Sequence, residues 1–278
     1  MLLELPTRGR PDWLAMMLAQ LPCALIGVDR PVELLLIESD GLTQTEQVDA
    51  AIKALSWWGI TTLRCAVQDD LPLPEKHQIA YNLAKERHHE IVMILHDDLI
   101  LTAPFLGELQ DVMKDVTIGA VAGVYPYLGA HQPSMLSEDY RDKVGYNGEI
   151  VAATNWHQVY AYPSKDIEQE PVRTDVEHLF GPVMYRVDAL PQGFPVGVYS
   201  RVSHREETDF THQIYRNNYK LAVCKTAIAF HAMYPKGGAA EDREEYMRDD
   251  EAAFKERLNA GQSHDNPKSL SADQDTPA

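Results

Sequence analysis

Short apolar runs alternate with segments of helical periodicity through the first 124 residues of the chain. The apolar runs lie at residues 2–5, 33–37, 61–67, 91–95 and 118–124. Between these runs, apolar residues recur every three or four positions, which places them on one face of a helix. Strands that alternate with helices in this way form βαβ units around a parallel sheet. We therefore predict an α/β fold with one mostly parallel sheet flanked by helices.

Polar clusters follow three of the predicted strands. The clusters are Thr7-Arg8-Gly9-Arg10, Glu38-Ser39-Asp40 and His96-Asp97-Asp98. The carboxyl ends of parallel strands lie at the same edge of a sheet, and ligands bind beyond that edge. We therefore expect the three clusters to converge on one binding cleft.

The regular alternation is interrupted between residues 125 and 176, where Tyr, Pro, His and Asn are frequent. Segments of this length without regular structure are usually functional or mobile in compact domains. We expect this one to lie above the sheet edge and to contain one strand at residues 149–162. After residue 176 the predicted elements are an apolar run at 178–185, a helix that carries Glu206, Glu207 and Asp209, and a strand at 220–230.

We expect one domain over residues 1–235, a size that is ordinary for an α/β unit with a single core. Its first half, residues 1–124, carries the strand-end clusters, and its second half, residues 125–235, contains the long excursion. A charged helix at residues 236–260 and a polar, disordered tail at residues 261–278 complete the chain.

The balance of charged residues excludes a broad nucleic-acid-binding surface. The chain has 42 Asp and Glu residues against 25 Lys and Arg residues, a net charge of −17, whereas such surfaces gather basic residues to neutralise phosphates. The three cysteines have no metal-binding spacing, so we expect free thiols in a reducing compartment. No apolar run reaches the about 18 residues of a membrane helix, and no leader peptide is recognisable, so we predict a cytoplasmic protein.

The His96-Asp97-Asp98 cluster follows five apolar residues, so its acids lie at the mouth of a buried strand. Adjacent carboxylates in such a place repel each other unless donors or a cation neutralise them, and a divalent metal that bridges to a phosphate is one solution. The alternative is that Asp97 or Asp98 caps the next turn. His231, after the apolar strand at 220–230, is either a hydrogen-bonded wall residue or a partner of Asp98 in binding Mn²⁺ or a similar ion.

A second group of ionisable residues surrounds the predicted start of a helix at residues 203–209. Acidic residues in the first turn of a helix interact favourably with the helix dipole whatever their function. A carboxylate at a sheet edge also suits a general base that takes the proton from an attacking hydroxyl. Both interpretations stay open at this point.

Several common catalytic motifs are absent from the sequence. It contains no GxxxxGK[ST] phosphate loop, no GxGxxG after the first strand, no GxSxG and no HExxH. These absences argue against a P-loop ATPase, a Rossmann dehydrogenase, an α/β-hydrolase and a zinc protease of that type.

Taken in order, the clusters resemble the family 2 glycosyltransferases of the GT-A fold over about residues 3–233. The stretches that carry the resemblance are Leu5-Pro6-Thr7-Arg8-Gly9-Arg10-Pro11 for the Pro-Thr-x-x-Arg-Pro turn, residues 33–41 for the second strand and its acid, Ala80-Tyr81-Asn82 for the Ala-x-Asn stretch, residues 95–98 for the Asp-x-Asp motif, residues 180–186 with Gly193-Phe194-Pro195 for the acceptor-side strand, residues 206–210 for the Glu-Asp-x-Asp motif, and His231 for the late His. His96 replaces the first Asp of the Asp-x-Asp motif, and Glu207 stands where that family has an Asp as base.

The resemblance implies a GT-A type α/β fold, with a single Rossmann-like sheet and a smaller acceptor-side region. Residues 1–124 would form the nucleotide-sugar-binding half, and residues 125–235 the acceptor half. The implied activity is the metal-dependent, inverting transfer of a hexosyl or pentosyl group from a UDP- or GDP-sugar to an acceptor hydroxyl. The implied cofactor is a divalent cation, Mn²⁺ or Mg²⁺.

The resemblance also assigns residues to three roles. Glu207 is the expected base, and Glu206 and Asp209 belong to the same catalytic motif. The expected metal ligands are Asp98, His231 and His96. The expected contacts to the nucleotide and its diphosphate are Pro6, Thr7, Arg8, Arg10, Glu38, Asp40, Lys76, Asp97 and Arg205.

Two other functions fit parts of the sequence. His96 in the metal motif is compatible with a catalytically reduced protein that binds a nucleotide or a sugar on the same fold. A nucleotidyltransferase has a related sheet, but the Gly-rich phosphate loop expected after its first strand is missing. The acceptors implied by the family are a saccharide or a lipid-linked sugar, with a hydroxymethylated base in nucleic acid as a minor alternative.

Overall fold

The strands and helices occur in the order that the alternation predicts. The computed structural model describes residues 1–7, 9–29, 31–39, 43–68, 71–125, 127–128, 171–179, 181–232 and 242–262. The strands are β1 (Leu2–Thr7), β2 (Val32–Ser39), β3 (Ile60–Val67), β4 (Ile91–Ile94), β5 (Leu99–Leu101), β6 (Ile118–Val124), β7 (Tyr127–Leu128), β8 (Val172–Val176), β9 (Val183–Arg186) and β10 (Lys220–Ala232). The α-helices are α1 (Pro11–Ala24), α2 (Glu46–Trp57), α3 (Leu73–Glu86), α4 (Phe105–Val112), α5 (Glu206–Arg216) and α6 (Arg243–Gln262).

One sheet joins these strands. Its order is β3-β2-β1-β4-β9-β6-β10-β5, and β7 and β8 also pair with β10. The strands β3, β2, β1 and β4 are parallel to one another, and β6 is parallel to β10. Between these two groups, β9 runs antiparallel to both β4 and β6. The predicted α/β fold with one mainly parallel sheet is therefore confirmed.

The register of the central strands brings two of the polar clusters to one edge. Thr7, the last residue of β1, lies opposite Glu38 in β2, and Glu4 lies opposite Ile94, the last residue of β4. Because β1 and β4 are parallel neighbours, the turns that follow them leave the sheet side by side.

The strands β5, β7 and β8 were not predicted. They have two to five residues each, which is too short for a periodic pattern to be recognised. The strand predicted at residues 149–162 lies outside the described residues. The tail was predicted at residues 261–278, but Gly261 and Gln262 belong to the last helix, and the rest of the predicted tail lies outside the described residues. Across the described residues, no helix has both the length and the hydropathy of a membrane-spanning segment.

Aromatic rings fill the space between α3, β9 and α5. The centroids of Phe194 and Phe210 are 4.9 Å apart, and Tyr185 lies 5.6 Å from the first ring and 5.9 Å from the second, edge-on to both. All three side chains are buried. Edge-to-face packing of this kind fixes the relative orientation of the rings, so it also fixes how α5 lies on the sheet.

Helix α6 packs against the loop that precedes α5. Phe254 is buried against Tyr199. The Asp250 carboxylate accepts hydrogen bonds from the Ser200 N–H at 2.6 Å, the Ser200 hydroxyl at 2.9 Å and the His204 N–H at 2.7 Å. The loop before α5 is therefore held from outside by α6.

Gly107 in α4 provides a test of the packing, because its substitution should have the opposite of the usual effect. Alanine within a helix is ordinarily more stable than glycine by about 1 kcal/mol. Here an added Cβ would lie 2.0 Å from the backbone oxygen of Ile26. We therefore expect Gly107→Ala to lower the free energy of unfolding by about 1–3 kcal/mol in urea denaturation, as overpacking does elsewhere.

Lys53→Ala, at an exposed position of α2, is the control for the Gly107 experiment. It should change the free energy of unfolding by no more than about 0.5 kcal/mol. A Gly107→Ala protein as stable as the unmodified chain would contradict the close approach of α4 to residues 26–27.

Candidate functional site

Arg10 joins two neighbouring aspartates at the sheet edge. Its Nη1 donates to Oδ2 of Asp98 over 3.0 Å, and its Nη2 donates to Oδ1 of Asp97. The Thr7 hydroxyl donates to Oδ2 of Asp97 over 2.7 Å. The turn after β1 is thereby tied to the turn after β4, and the predicted clusters at residues 7–10 and 96–98 form one unit.

Burial and charge together set the protonation of this unit. Burial raises the pKa of Asp97, while the Arg10 charge and the Thr7 hydroxyl act in the opposite direction. Burial lowers the pKa of Arg10, but the charges of Asp97 and Asp98 outweigh it and raise the pKa overall, so the guanidinium is cationic. The Asp98 side chain is 13% exposed against 2% for Asp97. Asp98 is therefore the member of the pair that a ligand reaches more readily.

Groups within the chain also hold the end of β2. Arg64 donates from Nε to one oxygen of Glu38 over 2.6 Å and from Nη2 to the other over 2.5 Å, and the Thr43 hydroxyl donates to the same carboxylate. The buried Lys76 donates from Nζ to the Ser39 hydroxyl over 2.9 Å. Glu38 and Lys76 thus lie where the sequence predicts nucleotide contacts, and each has a partner in the protein.

Glu206 and Glu207 begin α5 after a strained stretch of backbone. Ser203 has a φ of 53° and Arg205 a φ of 77°, in the left-handed region that residues other than glycine rarely adopt. Such conformations persist only where the surrounding structure holds them, and they are frequent at functional sites. Glu206 is fully buried, whereas Glu207 is only half-buried. Glu207 is therefore the acid of this pair that remains accessible to a substrate.

A buried chain of ionisable side chains links β1 to α5 through α3. Oε1 of Glu4 lies 2.5 Å from Nδ1 of His77, and Nε2 of His77 lies 3.8 Å from Oε1 of Glu206. The other oxygen of Glu206, Oε2, accepts a hydrogen bond from the backbone N–H of Glu207. We call Glu4, His77 and Glu206 the buried triad; all three are fully buried.

The surroundings of the buried triad shift its proton equilibria. Burial alone lowers the pKa of His77, but the Glu4 charge and the contacts with Glu206 raise it to about 10. Burial, and then the charge of Glu207, raise the pKa of Glu206 well above its usual range. His77 is therefore a cation at neutral pH, paired with Glu4.

Helix α3 also holds the loop that precedes α5. The Leu73 N–H donates to the Ser203 hydroxyl over 3.0 Å, and Glu75 accepts from the Gly197 N–H over 2.8 Å. Along β1, the triad residue Glu4 is three positions from Thr7, about 10 Å in an extended strand. The start of α5 and the Arg10–aspartate unit are thus attached to the same strand and helix.

Two further predicted site residues contact α6. Asp209 accepts from the Tyr199 hydroxyl over 2.9 Å and from Nε of Arg257 over 2.6 Å. Arg205 donates from Nε to Glu251 over 2.7 Å. These contacts join α5 and its preceding loop to α6. A catalytic part for Asp209 and a nucleotide contact for Arg205 stay predictions.

The predicted metal ligands are brought together in part. Among the described residues, no group of three His, Cys, Asp or Glu side chains could hold a metal ion. Asp97 is held by the contacts described above, and Asp98 is shared with Arg10. His231, however, lies opposite Leu99 where β10 pairs with β5, which places its backbone one residue from Asp98 along the partner strand. The accessible carboxylate of Asp98 is compatible with a cation such as Mg²⁺, which takes one or two carboxylates from a protein and its other ligands from phosphates and water.

The remaining predicted residues differ in what the structure says of them. Pro6 is buried in β1 opposite Ile37 of β2, and His96 follows β4 and is half-buried. Arg8 and Asp40 lie outside the described residues, so their predicted nucleotide contacts stay predictions.

Three residues that shape the edge were not predicted from the sequence: Glu4, His77 and Arg64. A signal was available for the first, since Glu4 is the single charge in an apolar run, and a charged side chain is almost never fully buried without a partner. His77 and Arg64 become notable only once the acids they face are known.

Comparison with solved structures finds proteins of similar fold. Residues 1–349 of S. aureus TarS, in complex with UDP-GlcNAc, match over 98% of this chain and 76% of that chain, with 13% identity and a TM-score of 0.57. The mannosyltransferase PcManGT from Pyrobaculum calidifontis, in complex with GDP-Man and Mn²⁺, matches over 96% of this chain and 76% of that chain, with 15% identity and a TM-score of 0.51. No family model and no curated protein matches the sequence. The chain therefore has a GT-A-like glycosyltransferase fold, and its place in family 2 stays a prediction.

The protonation of His77 leads to a prediction for the pH dependence of stability. The pKa of His77 is about 10 in the folded chain against an ordinary value of 6.5, so between these values the folded state binds more protons than the unfolded state. The stabilisation is complete below pH 6.5 and is lost as the pH rises towards 10. We expect the free energy of unfolding, from urea denaturation at several pH values, to fall on the order of a few kcal/mol over this range.

Two variants separate the His77 contribution from other titrations. His77→Gln should flatten the decline between pH 6.5 and 10. His89→Gln removes a second histidine–glutamate pair, with Glu33 at 2.7 Å, and should leave most of the decline in place. Equal slopes in the unmodified chain and in His77→Gln would contradict a cationic His77.

Proposed function

We propose that the chain is an inverting glycosyltransferase that moves a sugar from a nucleoside-diphosphate donor to an acceptor hydroxyl. One observation carries the proposal: α3 and β1 hold the accessible carboxylate of Glu207 and the Arg10–Asp97–Asp98 unit on one frame at the carboxyl edge of a GT-A-like sheet. A basic group for the acceptor and a charged unit for the donor are the two parts that the reaction needs.

The donor is proposed to bind along the carboxyl ends of β1, β2 and β4. Arg10 and Lys76 are the cationic groups proposed to contact its diphosphate, and Glu38 is the acid proposed to face its ribose. Nucleotide sugars, UDP-GlcNAc and GDP-Man, are bound in the two similar structures, which supports a donor of this class. Saccharides and lipid-linked sugars are the proposed acceptors.

A divalent cation, Mn²⁺ or Mg²⁺, is proposed to bind at Asp98, with His231 beside it. When bound, such an ion neutralises negative charge on the departing diphosphate, as a Lewis acid does. Asp98 supplies the accessible carboxylate, and the diphosphate itself would supply further oxygen ligands. The complex of PcManGT with GDP-Man and Mn²⁺ supports a cation of this type.

Glu207 is proposed to act as the general base. Its carboxylate takes the proton of the acceptor hydroxyl while the hydroxyl oxygen forms a bond to the anomeric carbon. The bond from that carbon to the diphosphate oxygen breaks, and its electron pair stays on the oxygen of the departing nucleoside diphosphate. Attack from the face opposite the leaving group inverts the anomeric configuration.

A protein that binds a nucleotide sugar without transferring it is the second candidate. The observation that favours it is that Asp97 and Asp98 are already paired with Arg10, with His96 in place of a third acid. Donor binding in calorimetry, without nucleoside diphosphate release in the presence of a panel of sugar acceptors, would support this candidate over the transferase.

Glu207→Gln tests the proposed base. The glutamine has nearly the same shape and cannot take a proton, so we expect donor affinity within about twofold of the unmodified chain. Transfer should fall by about 100-fold or more, the usual contribution of a general base. Calorimetry with UDP-GlcNAc or GDP-mannose and Mn²⁺ measures the first quantity, and release of nucleoside diphosphate measures the second.

Glu86→Gln, at an exposed position at the end of α3, is the matched control and should leave both quantities unchanged. If Glu207→Gln transferred the sugar at a near-normal rate, Glu207 could not be the base.

Asp98→Asn tests the proposed cation site. In the unmodified chain, Mn²⁺ should tighten donor binding, and removal of the ion with a chelator should reverse the effect. We expect Asp98→Asn to lose this stimulation by Mn²⁺ while keeping its affinity for the donor in the absence of metal. The substitution removes the carboxylate charge and leaves the shape of the side chain nearly unchanged. Thermal shift measures the same effect, since a ligand that binds only the folded state raises its apparent stability.

Asp111→Asn, which removes an exposed carboxylate in α4, should keep the full response to Mn²⁺. Undiminished stimulation in Asp98→Asn would remove Asp98 from the site.

A further inference from the structure

We propose that His77 is a positioning residue, which acts through Glu206 to fix the first turn of α5 and with it the Glu207 carboxylate. The inference rests on the proposed function only in naming Glu207 as the base. The placement of the first turn of α5 by the buried triad can be tested without any activity.

The three members of the triad come from three separate elements. Glu4 belongs to β1, a central strand of the sheet; His77 to α3; and Glu206 to α5. A protonated imidazole carries a proton on both ring nitrogens. His77 therefore pairs with Glu4 through Nδ1 at 2.5 Å, and its Nε2 lies 3.8 Å from Glu206, within ion-pair distance but too far for a hydrogen bond. The triad therefore connects the centre of the sheet to the start of α5.

The connection ends on the backbone of the proposed base. Oε1 of Glu206 faces His77, while its Oε2 accepts the hydrogen bond from the Glu207 N–H. This N–H is in the first turn of a helix, where backbone donors have no partner within the helix itself. The orientation of the Glu206 carboxyl group is thereby coupled to the position of Glu207.

The backbone before α5 explains why such a restraint matters. Ser203 and Arg205 both have left-handed conformations, which bulky residues leave readily unless contacts on several sides hold them. The loop is held from α3 through Leu73 and from α6 through Asp250. The buried triad supplies a third restraint, from the sheet, directly at the residue before Glu207.

The composition of this region also argues against a purely stabilising role for the buried triad. Aromatic rings already pack α5 against the sheet, and the His77 ring lies 5.1 Å from the Phe194 ring. Packed apolar residues stabilise a core at least as well as a buried ion pair does. Oε2 of Glu4, Nε2 of His77 and the Tyr185 hydroxyl have no hydrogen-bond partner among the described residues. Charges placed here are therefore better explained by what they orient than by the stability they add.

The groups that face His77 are known from each packed element. They are Glu4 from β1 and Glu206 from α5. Glu206 in turn interacts with Glu207, and Glu4 interacts with the Tyr185 hydroxyl of β9. Of these, Glu4 and Glu206 contact the imidazole.

Hydrogen–deuterium exchange tests the restraint in the full chain. We expect His77→Gln to speed exchange of the backbone amides in a peptide that covers residues 203–210 by about tenfold or more. His89→Gln, which breaks a histidine–glutamate pair of similar distance at the start of β2, should leave this peptide unchanged. Exchange at residues 203–210 that is the same in His77→Gln and in the unmodified chain would overturn the proposal.

A conservative pair of variants at Glu206 separates orientation from simple packing. Glu206→Gln keeps an oxygen that can accept from the Glu207 N–H, whereas Glu206→Leu keeps a side chain of similar volume without such an oxygen. We expect protection at residues 203–210 to be kept in the first and lost in the second. The same protection in both variants, whether kept or lost, would show that the hydrogen bond does not hold the turn, and would overturn the proposal.

Nuclear magnetic resonance of the ring nitrogens covers the case in which His77→Gln does not fold. In the unmodified chain labelled with nitrogen-15 histidine, one imidazole should remain doubly protonated at pH 8. If every ring titrates near pH 6.5, the triad is not charged and the proposal fails.

Kinetics link the triad to the proposed base. His77→Gln should lower kcat for transfer by about tenfold while the donor KM stays within twofold, since His77 pairs with Glu4 and Glu206, neither of which is proposed to bind the donor. A loss confined to KM would overturn the positioning role. An unmodified chain that transfers no sugar would refute the proposed function instead, and the exchange experiments would still judge the triad.

Discussion

Repulsion between carboxylates is the constraint on which the sheet edge depends. The chain carries a net charge of −17 and still buries acids in β1, at the end of β2 and after β4. An ion that is buried without a partner is strongly destabilising, by several kcal/mol. Each of these acids is instead paired with a cation: Glu4 with His77, Glu38 with Arg64, and Asp97 with Arg10. The low exposure of these pairs makes their partners specific, because a buried charge does not exchange one counter-ion for another at little cost.

These pairs also determine how the elements meet. In every case the acid and its cation come from different elements: β1 and α3, β2 and β3, and the turns after β4 and β1. An ion pair between two elements has one geometry, whereas apolar contacts tolerate small shifts. The positions of Glu207 and Asp98 are therefore fixed before any substrate binds, and groups that are placed in advance need no reorganisation during a reaction. The contacts that neutralise the charges at the sheet edge are thus the same contacts that hold its strands, helices and turns together.

The sequence predicted the central strands well and the ion pairs not at all, for a physical reason. The strands β1, β2, β4 and β6 consist mostly of buried apolar residues, so a run of apolar residues in the sequence is enough to predict them. The strand-end rule then placed Thr7 and Asp98 at one edge correctly. The pairing of Thr7 with Asp97, however, joins residues 90 positions apart, and that of Glu4 with His77 joins residues 73 positions apart. No local pattern reports such a contact. The strand β8 was missed because its partner β10, rather than its own five residues, defines it.

The charge balance at Arg10 supports a divalent cation in the proposed donor complex. In the protein alone, one guanidinium is shared by two aspartates, and burial already raises the pKa of Asp97. A nucleoside diphosphate brought to this edge adds negative charge next to Asp98. If Arg10 turned towards the diphosphate, both aspartates would lose their cation; if it stayed, the diphosphate would face Asp98 without one. Either arrangement leaves a deficit of positive charge that Lys76, already bonded to Ser39, covers only in part. A divalent ion held by Asp98 would remove the deficit in both cases, and carboxylate and phosphate oxygens are the ligands that such ions prefer.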